Sequence, residues 1–461
     1  MKETNQSEHK SQHDFHRVMK NRHLMMIAFG GVVGTGLFVA TGQSLYDAGA
    51  LGALLSYCIG AVIVYTVMLS LGELGSRFPH TSSFGEYAHR FISPSTGYVV
   101  TWLYWLTWVA ALGGEFTAVG LLMQKWFPDT PVWIWATIFG IIIFMLNIWT
   151  VKIFAEGEFI FSFIKIMAVI IFLILGIAVI LYKIFTTGFS QTFINFYADG
   201  WFPNGAGGVL MTILAVNFAF SGTEVIGVAV GETKNPEESM PKAIRATLWR
   251  LILFFIGTVF IIATLLPHND SSLTTSPFVA VLNRLQIPFA ADIMNFVIII
   301  AIFSVSNSGL YASSRMLWSL SNQKKLPAFF GKINHRGIPV NAVIFSMLGS
   351  LSALGSLVFA PEIVFATLIG VSGFTNILTW MSVSLAQFNF HRKCSKEEKD
   401  KLYYKTPFMP YTPIIALTLC GLSIIGCCFD STQQIAIIST IIFIIICYGV
   451  YFFQEKFKSR S

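Results

Sequence analysis

Apolar stretches of about 20 residues recur along the chain between short polar connectors, each long enough to cross a hydrocarbon core about 30 Å thick as a helix. The pattern predicts about twelve membrane spans, at 23–48, 51–70, 97–123, 132–151, 159–184, 206–230, 246–266, 289–317, 340–359, 363–385, 413–428 and 435–453. Eleven stretches follow the first, so it is expected to be a span and not a cleaved leader. The longest connectors, at 186–204 and 268–288 on one side and 231–245, 321–339 and 389–411 on the other, are too short for a separate domain.

Two spans break the rule that a lipid-embedded helix pairs every backbone group internally. Span one carries Phe29-Gly-Gly-Val-Val-Gly-Thr-Gly-Leu-Phe38, four glycines at mid-depth. Such backbone is tolerated where it lines a cavity or packs against protein. Span six carries Phe218-Ala-Phe-Ser-Gly-Thr-Glu224, then Gly227 and Gly231. With one break in the first span and one in the sixth, the chain reads as five spans, five of opposite orientation, and two more. Interrupted helices at corresponding places in two halves point to the binding site of a secondary transporter. The plain alternative is close helix packing through small residues; the matched pair favours the site. The expected segments are a tail (1–22), a first five-helix repeat (23–185), a second, inverted repeat (205–390), two accessory helices (406–454) and a second tail (455–461).

Composition agrees: 54% of residues are hydrophobic, 11% are charged, and the mean hydropathy is +0.68, which excludes an ordinary soluble domain. The net charge of +7 could suggest nucleic acid, but the positions of the 30 basic residues argue otherwise. With the first tail placed in the cytoplasm, all but four fall on the cytoplasmic side: Lys125, Lys183 and Arg284 lie outside, and Lys165 lies within a span. That bias puts both termini in the cytoplasm. The basic excess encodes topology, and no nucleic-acid partner is expected.

Of the six cysteines, Cys58, Cys420, Cys427, Cys428 and Cys447 fall in apolar stretches and Cys394 in a connector, with no metal spacing and no external disulfide framework. The nine histidines lie in the first tail, at span ends or in connectors, so an intramembrane enzyme with a metal set or a Ser/His couple is not expected. A channel would show charged rings or a filter-like repeat, which are not seen. No cofactor or metal is implied.

The runs Arg22-His23-Leu24 through Gly36-Leu37-Phe38, Ser70-Leu-Gly-Glu-Leu74, Ser83-Phe-Gly-Glu-Tyr87, Phe218 to Glu224, Gly231-Glu232 and Asn307-Ser-Gly-Leu-Tyr-Ala-Ser-Ser-Arg-Met316 resemble the bacterial amino acid transporter family, within the amino acid, polyamine and organocation superfamily. The resemblance spans essentially the whole chain. Tyr197-Ala-Asp-Gly-Trp-Phe-Pro-Asn204 and Pro288-Phe-Ala-Ala-Asp-Ile-Met-Asn-Phe296 look most like the arginine/ornithine permeases of Gram-positive bacteria, with lysine permeases next. It implies an all-α integral membrane fold like that of the leucine transporter, with a 5+5 inverted repeat, two C-terminal helices and helices one and six unwound. It also implies proton-driven uptake of an amino acid through the bacterial cell membrane.

Several residues are candidates for the site. Gly34, Thr35 and Gly36 open the outer half of span one, where free N–H groups and the positive end of a helix dipole suit a substrate carboxylate; the Thr35 hydroxyl adds a donor. Carbonyls released between Phe218 and Ser221 suit an α-ammonium, and by resemblance Phe218 is the aromatic that closes over the substrate. Ionised side chains at membrane depth are costly and are functional candidates by default. Glu224 follows the second break; the family's lysine permeases use the matching acid for substrate, yet neutral amino acid permeases resemble this motif too. Tyr104, Trp108, Ala111 and Glu115 share one helical face. Aromatics with one carboxylate suit a Lys, Arg or ornithine side chain, while pairing of Glu115 within the bundle remains the alternative.

Lys165 shares a face with Glu158 and Ser162, which reads plainly as an internal salt bridge. By resemblance, the matching lysine of proton-coupled permeases occupies the place of a sodium ion, which implies sodium-independent, proton-coupled transport with Lys165 and Glu224 as coupling residues. Ser304, Asn307, Tyr311 and Ser314 form a polar stripe on span eight, read as interhelical glue, with Asn307 kept as a pocket candidate. Asp292 reads as a solvated cap. Glu73 and Glu232, at cytoplasmic span ends, fit either gate contacts or plain solvation. The expected function is proton symport of arginine, ornithine or lysine, with a permease for neutral or aromatic amino acids as the alternative.

Overall fold

The structure is a computed structural model that describes residue 26 and residues 33–78, 84–149, 151–229, 236–274, 276–395, 397, 399, 402–428 and 433–458. The start of the first glycine break, Gly231 and Glu232 lie outside these residues. Among the described residues all regular structure is helical. Ten helices are long and apolar enough to cross a membrane, and Val132–Asn147 is a shorter apolar one. One of the ten, Ala40–Arg77, holds two spans: Gly49 interrupts it at φ 74°, ψ 175°. The hydroxyls of Thr41 and Tyr57 lie 2.9 Å apart although 16 residues separate them, whereas a straight helix would put roughly 24 Å between them. The chain therefore reverses at Gly49, where positive φ suits a residue without Cβ and Pro203 packs against the turn. Twelve helical segments result, and the chain is a multi-pass membrane protein.

The predicted span-six interruption is present, and the described end of the span-one break is non-helical. In span six the helix Gly205–Phe220 ends, Ser221 is extended (φ −58°, ψ 144°), and a helix resumes at Val225–Ala229. In span one Gly34 is extended (φ −141°, ψ −147°) and precedes the short helix Thr35–Phe38. The two breaks are pressed together: a Cβ on Gly36 would lie 2.4 Å from Ala219 Cα, so the close approach needs glycine there.

Contacts pair each of spans one to four with the span five places later. Span one touches span six, span two touches span seven, Pro94–Met123 packs on Ala290–Asn322, and Val132–Asn147 packs on Met347–Leu357. This is the arrangement expected of two inverted halves. Spans three, six and eight are the most enclosed, and Glu156–Thr187, Val340–Leu357 and Gln434–Phe457 are the most peripheral. The peripheral helices turn Ile and Phe side chains outward, such as Ile174, Ile177, Ile438 and Ile445, while Thr35, Ser304, Asn376 and Gln387 are fully buried. This inside-out distribution suits lipid outside and a polar interior.

Candidate functional site

The two breaks meet spans three and eight around a cavity of about 10 Å³, room for about one water, lined by Gly36, Trp108, Ala111, Glu115, Phe218, Ser221 and Val305. Six of these seven are predicted site residues or share the predicted aromatic face of span three. A larger cavity, about 600 Å³, opens above it between the ends of spans one, three, six, ten and twelve, with Gln43, Gln124, Glu362 and Gln433 in its wall. The two spaces are stacked along the same helices. Val39 and Ala40, Ala118, and Ala215 wall the vestibule, and Gly36, Glu115 and Phe218, about one turn deeper on the same spans, wall the small cavity.

Glu115 is fully buried. Its Oε1 accepts from Thr35 Oγ1 at 2.9 Å, and its Oε2 is enclosed with no hydrogen-bond partner among the described residues. A carboxylate oxygen enclosed without a donor is costly, so the open valence marks where a proton or a cationic group is best received. The Thr35 hydroxyl, predicted as a donor to a substrate carboxylate, is thus engaged by the protein's own acid. Of the span-six carbonyls, Phe218 O accepts from Ser221 N at 2.9 Å and Phe220 O from the Thr223 hydroxyl at 2.7 Å.

Glu224 lies just below. Its carboxylate accepts from Gly222 N (3.0 and 3.2 Å to its two oxygens), from Tyr104 OH at 3.1 Å and from Trp380 Nε1 at 3.1 Å. Tyr104 therefore faces Glu224 and not the small cavity, and it stacks edge-on against Phe84 with centroids 4.7 Å apart. Trp380 escaped sequence analysis because an uncharged aromatic within an apolar span gives no signal of its own.

The charges of Lys165 and Glu158 interact, as their shared helix face predicts. Ser304 of span eight bridges them: Lys165 Nζ donates to Ser304 Oγ at 2.8 Å, and that hydroxyl donates to Glu158. Ser162 also donates to Glu158 at 3.4 Å. Asn307 does not line the cavity; its Oδ1 accepts from Asn147 at 2.8 Å, tying span eight to span four. Asp292 accepts from Lys125 at 2.8 Å and from Trp126 Nε1 at 3.2 Å, so it is an ion pair and not a bare cap.

Lys165 is not the only base within a span. Arg250 of span seven is fully buried and donates to Thr223 Oγ1 at 2.6 Å. The sequence pattern starts span seven at 246 and leaves Arg250 at its rim, whereas the membrane-length helix runs Glu238–Leu265. Arg315, near the far end of span eight, is also buried and stacks 3.8 Å over the Tyr311 ring. At the end of the bundle away from the vestibule, Glu73 is fully buried. It accepts from Thr406 N at 2.7 Å, from Gln387 Nε2 at 3.3 Å and from His391. Of the two readings of Glu73, solvation is excluded.

A helical membrane bundle with its small central cavity at two facing broken helices has the build of a secondary transporter. Comparison with known proteins gives the class directly. The family model described as "Amino acid permease" matches residues 23–461. The chain is 46% identical over 445 residues to a Bacillus subtilis protein whose name provisionally assigns it to histidine, covering 95% of this chain and 94% of the relative. It is 44% identical over 448 residues to the amino-acid permease RocC of Bacillus subtilis, covering 96% and 95% of the two chains. It is 37% identical over 422 residues to the lysine-specific permease LysP of Escherichia coli, covering 89% and 86%. The chain belongs to the amino acid permease family.

Proposed function

We propose that this permease imports a cationic amino acid, arginine, ornithine or lysine, across the bacterial cytoplasmic membrane by proton symport and alternating access. The observation that carries the substrate class is Glu115: a buried carboxylate with one oxygen unpartnered faces a cavity walled by Trp108 and Phe218. Aromatic faces and one carboxylate stabilise a cationic side chain by cation–π contact and charge pairing. The backbone at Gly34 to Gly36 receives the α-carboxylate and the turn after Phe218 the α-ammonium, features common to every amino acid. Buried Lys165, bridged through Ser304 to Glu158, supports proton coupling through Lys165 with Glu224 as second acid. The positive-inside bias supports cytoplasmic termini, with the vestibule opening to the outside. The contacts between corresponding spans support the two repeats at 23–185 and 205–390.

A second reading, a permease for neutral or aromatic amino acids, is favoured by the histidine named for one relative and by the same aromatic wall. Uptake of L-arginine into proteoliposomes under an imposed pH gradient, with competition by unlabelled amino acids, separates them. Competition by lysine and ornithine supports the first reading; competition by histidine and neutral amino acids alone replaces it with the second.

A further inference from the structure

Arg250 is fully buried, near the middle of the span-seven helix Glu238–Leu265, and the function proposed above makes no use of it. A charged side chain at that depth is retained only where it has partners and a task. Its Nη2 donates to Thr223 Oγ1 at 2.6 Å, and that hydroxyl donates to Phe220 O at 2.7 Å. Phe220 is the last residue of the outer half of span six, and Thr223 lies in the turn that follows. A hydrogen-bond chain thus runs from span seven into the backbone of the break. Charges that face Arg250 among the described residues include Glu224, next to Thr223, and Lys165 of span five. Directly after Arg250, span seven widens into a π-helix at Leu251–Ile256, a rare form that recurs at functional sites.

These observations fit together physically. The turn 221–224 gives up regular helical hydrogen bonds, and rewinding would recover them. Arg250 opposes rewinding by holding the Thr223 hydroxyl, and through it the Phe220 carbonyl, in the unwound arrangement. From the other side Glu224 is fixed by Tyr104 and Trp380. The break is therefore clamped between span seven and spans three and ten.

We propose that Arg250 is a positioning residue for substrate binding: acting through Thr223, it keeps the span-six break unwound, so that backbone of this turn faces the cavity before an amino acid arrives. The proposal rests on the chain being an amino acid permease, and it is independent of which amino acid is carried.

The test compares Arg250→Met, Arg250→Lys and Thr223→Val in proteoliposome uptake of L-arginine and of L-histidine, together with hydrogen exchange of peptides covering 218–225 in purified protein without substrate. Loss of pre-organisation is expected to raise KM roughly tenfold in Arg250→Met while Vmax stays within about threefold. Lysine keeps a charged donor, so Arg250→Lys recovers most of the wild-type KM. Thr223→Val, which keeps the buried charge, raises KM by a smaller factor. Exchange across the break speeds in Arg250→Met and Thr223→Val and stays near wild type in Arg250→Lys. Because exchange needs no substrate, a wild type that ignores arginine counts against the substrate choice alone. If Arg250→Met does not fold, Thr223→Val decides. Unchanged KM and exchange in Thr223→Val, or a folded Arg250→Met whose Vmax falls at constant KM, overturns the proposal.

Discussion

Thr35 Oγ1 donates to Glu115 Oε1 at 2.9 Å, tying the first turn of span one's outer half to span three across 80 residues of sequence. The Thr35 backbone also interacts with this carboxylate. With Oε1 held in this way, Oε2 has no partner of its own and the side chain stays at the cavity wall. If the substrate is cationic, Glu115→Gln should raise KM for L-arginine roughly tenfold, about 1.4 kcal/mol, and leave a neutral competitor nearly unaffected. Equal losses for both would show that Glu115 serves the bundle and not the side chain.

Lys165 holds Ser304 and, through it, Glu158. Replacing it with methionine keeps most of the volume and removes the charge. Lys165→Met should abolish the dependence of uptake on an imposed pH gradient. Uptake in this variant that still follows the gradient would rule out Lys165 as a coupling group.

Tyr104 and Trp380 each supply one donor to a buried carboxylate. Hydrogen bonds to charged groups contribute about 1.5–3 kcal/mol. Tyr104→Phe and Trp380→Phe should each lower the thermal stability of the purified protein by a share of that size. Removing both should cost less than the sum if the carboxylate then recruits another partner. Double-variant melting curves measure this.

Glu73 gathers Thr406, Gln387 and His391 at the end of the bundle away from the vestibule. In a background lacking native cysteines, Ser384→Cys lies buried about one turn before Gln387. Adding Glu73→Ala should raise its rate of modification by a membrane-impermeant maleimide from the cytoplasmic face about tenfold, equivalent to about 1.4 kcal/mol of easier opening. No change in rate would mean that the cluster fixes the helices without controlling access.

The segment 268–274 sits against span one, with Leu273 O beside Gly42, and Ser276 Oγ donates to Phe38 O at 3.0 Å. Within it the Ser272 hydroxyl and amide, then the nearby Arg284, hold the Asp270 carboxyl below the usual carboxylate range. A group with a depressed folded value stabilises above its unfolded value, near 4, and loses that contribution as pH falls through the folded value. Hydrogen exchange of 268–284 should therefore be constant from pH 7 to about pH 5 and, after correction for intrinsic rates, increase below about pH 4. Asp270→Asn should show the faster exchange throughout.

Much of this arrangement is legible from sequence because lipid imposes simple rules. The length of each apolar stretch fixes the number of spans, and the glycine cluster at Gly34 to Gly36 and the turn after Phe218 stand out because continuous helix is otherwise obligatory. The face Trp108, Ala111 and Glu115 follows from helical spacing alone. Partnerships between distant spans are not encoded in spacing: Ser304 between Lys165 and Glu158, Trp380 on Glu224, and Asn147 on Asn307 depend on which helices pack together. Arg250 is misjudged for another reason. Most of the polar helix Pro236–Arg250 looks like a connector in sequence, which leaves Arg250 at the rim of span seven, yet the inward face of this helix is enclosed by neighbouring spans.

The stacking of the vestibule directly on the small cavity, with spans one, three and six walling both, makes the barrier between them thin. One helical turn, about 5.4 Å, separates Ala118 and Ala215 from Glu115 and Phe218. Toward the other end lie the Tyr104–Glu224–Trp380 cluster, the Phe84 ring against Tyr104 and the Glu73 cluster, a barrier several layers deep. On the proposed import route, a molecule entering from the vestibule meets the thin barrier first. Leaving by the other end requires separate layers of hydrogen bonds to part together, so the slow step of a transport cycle is expected on the exit side.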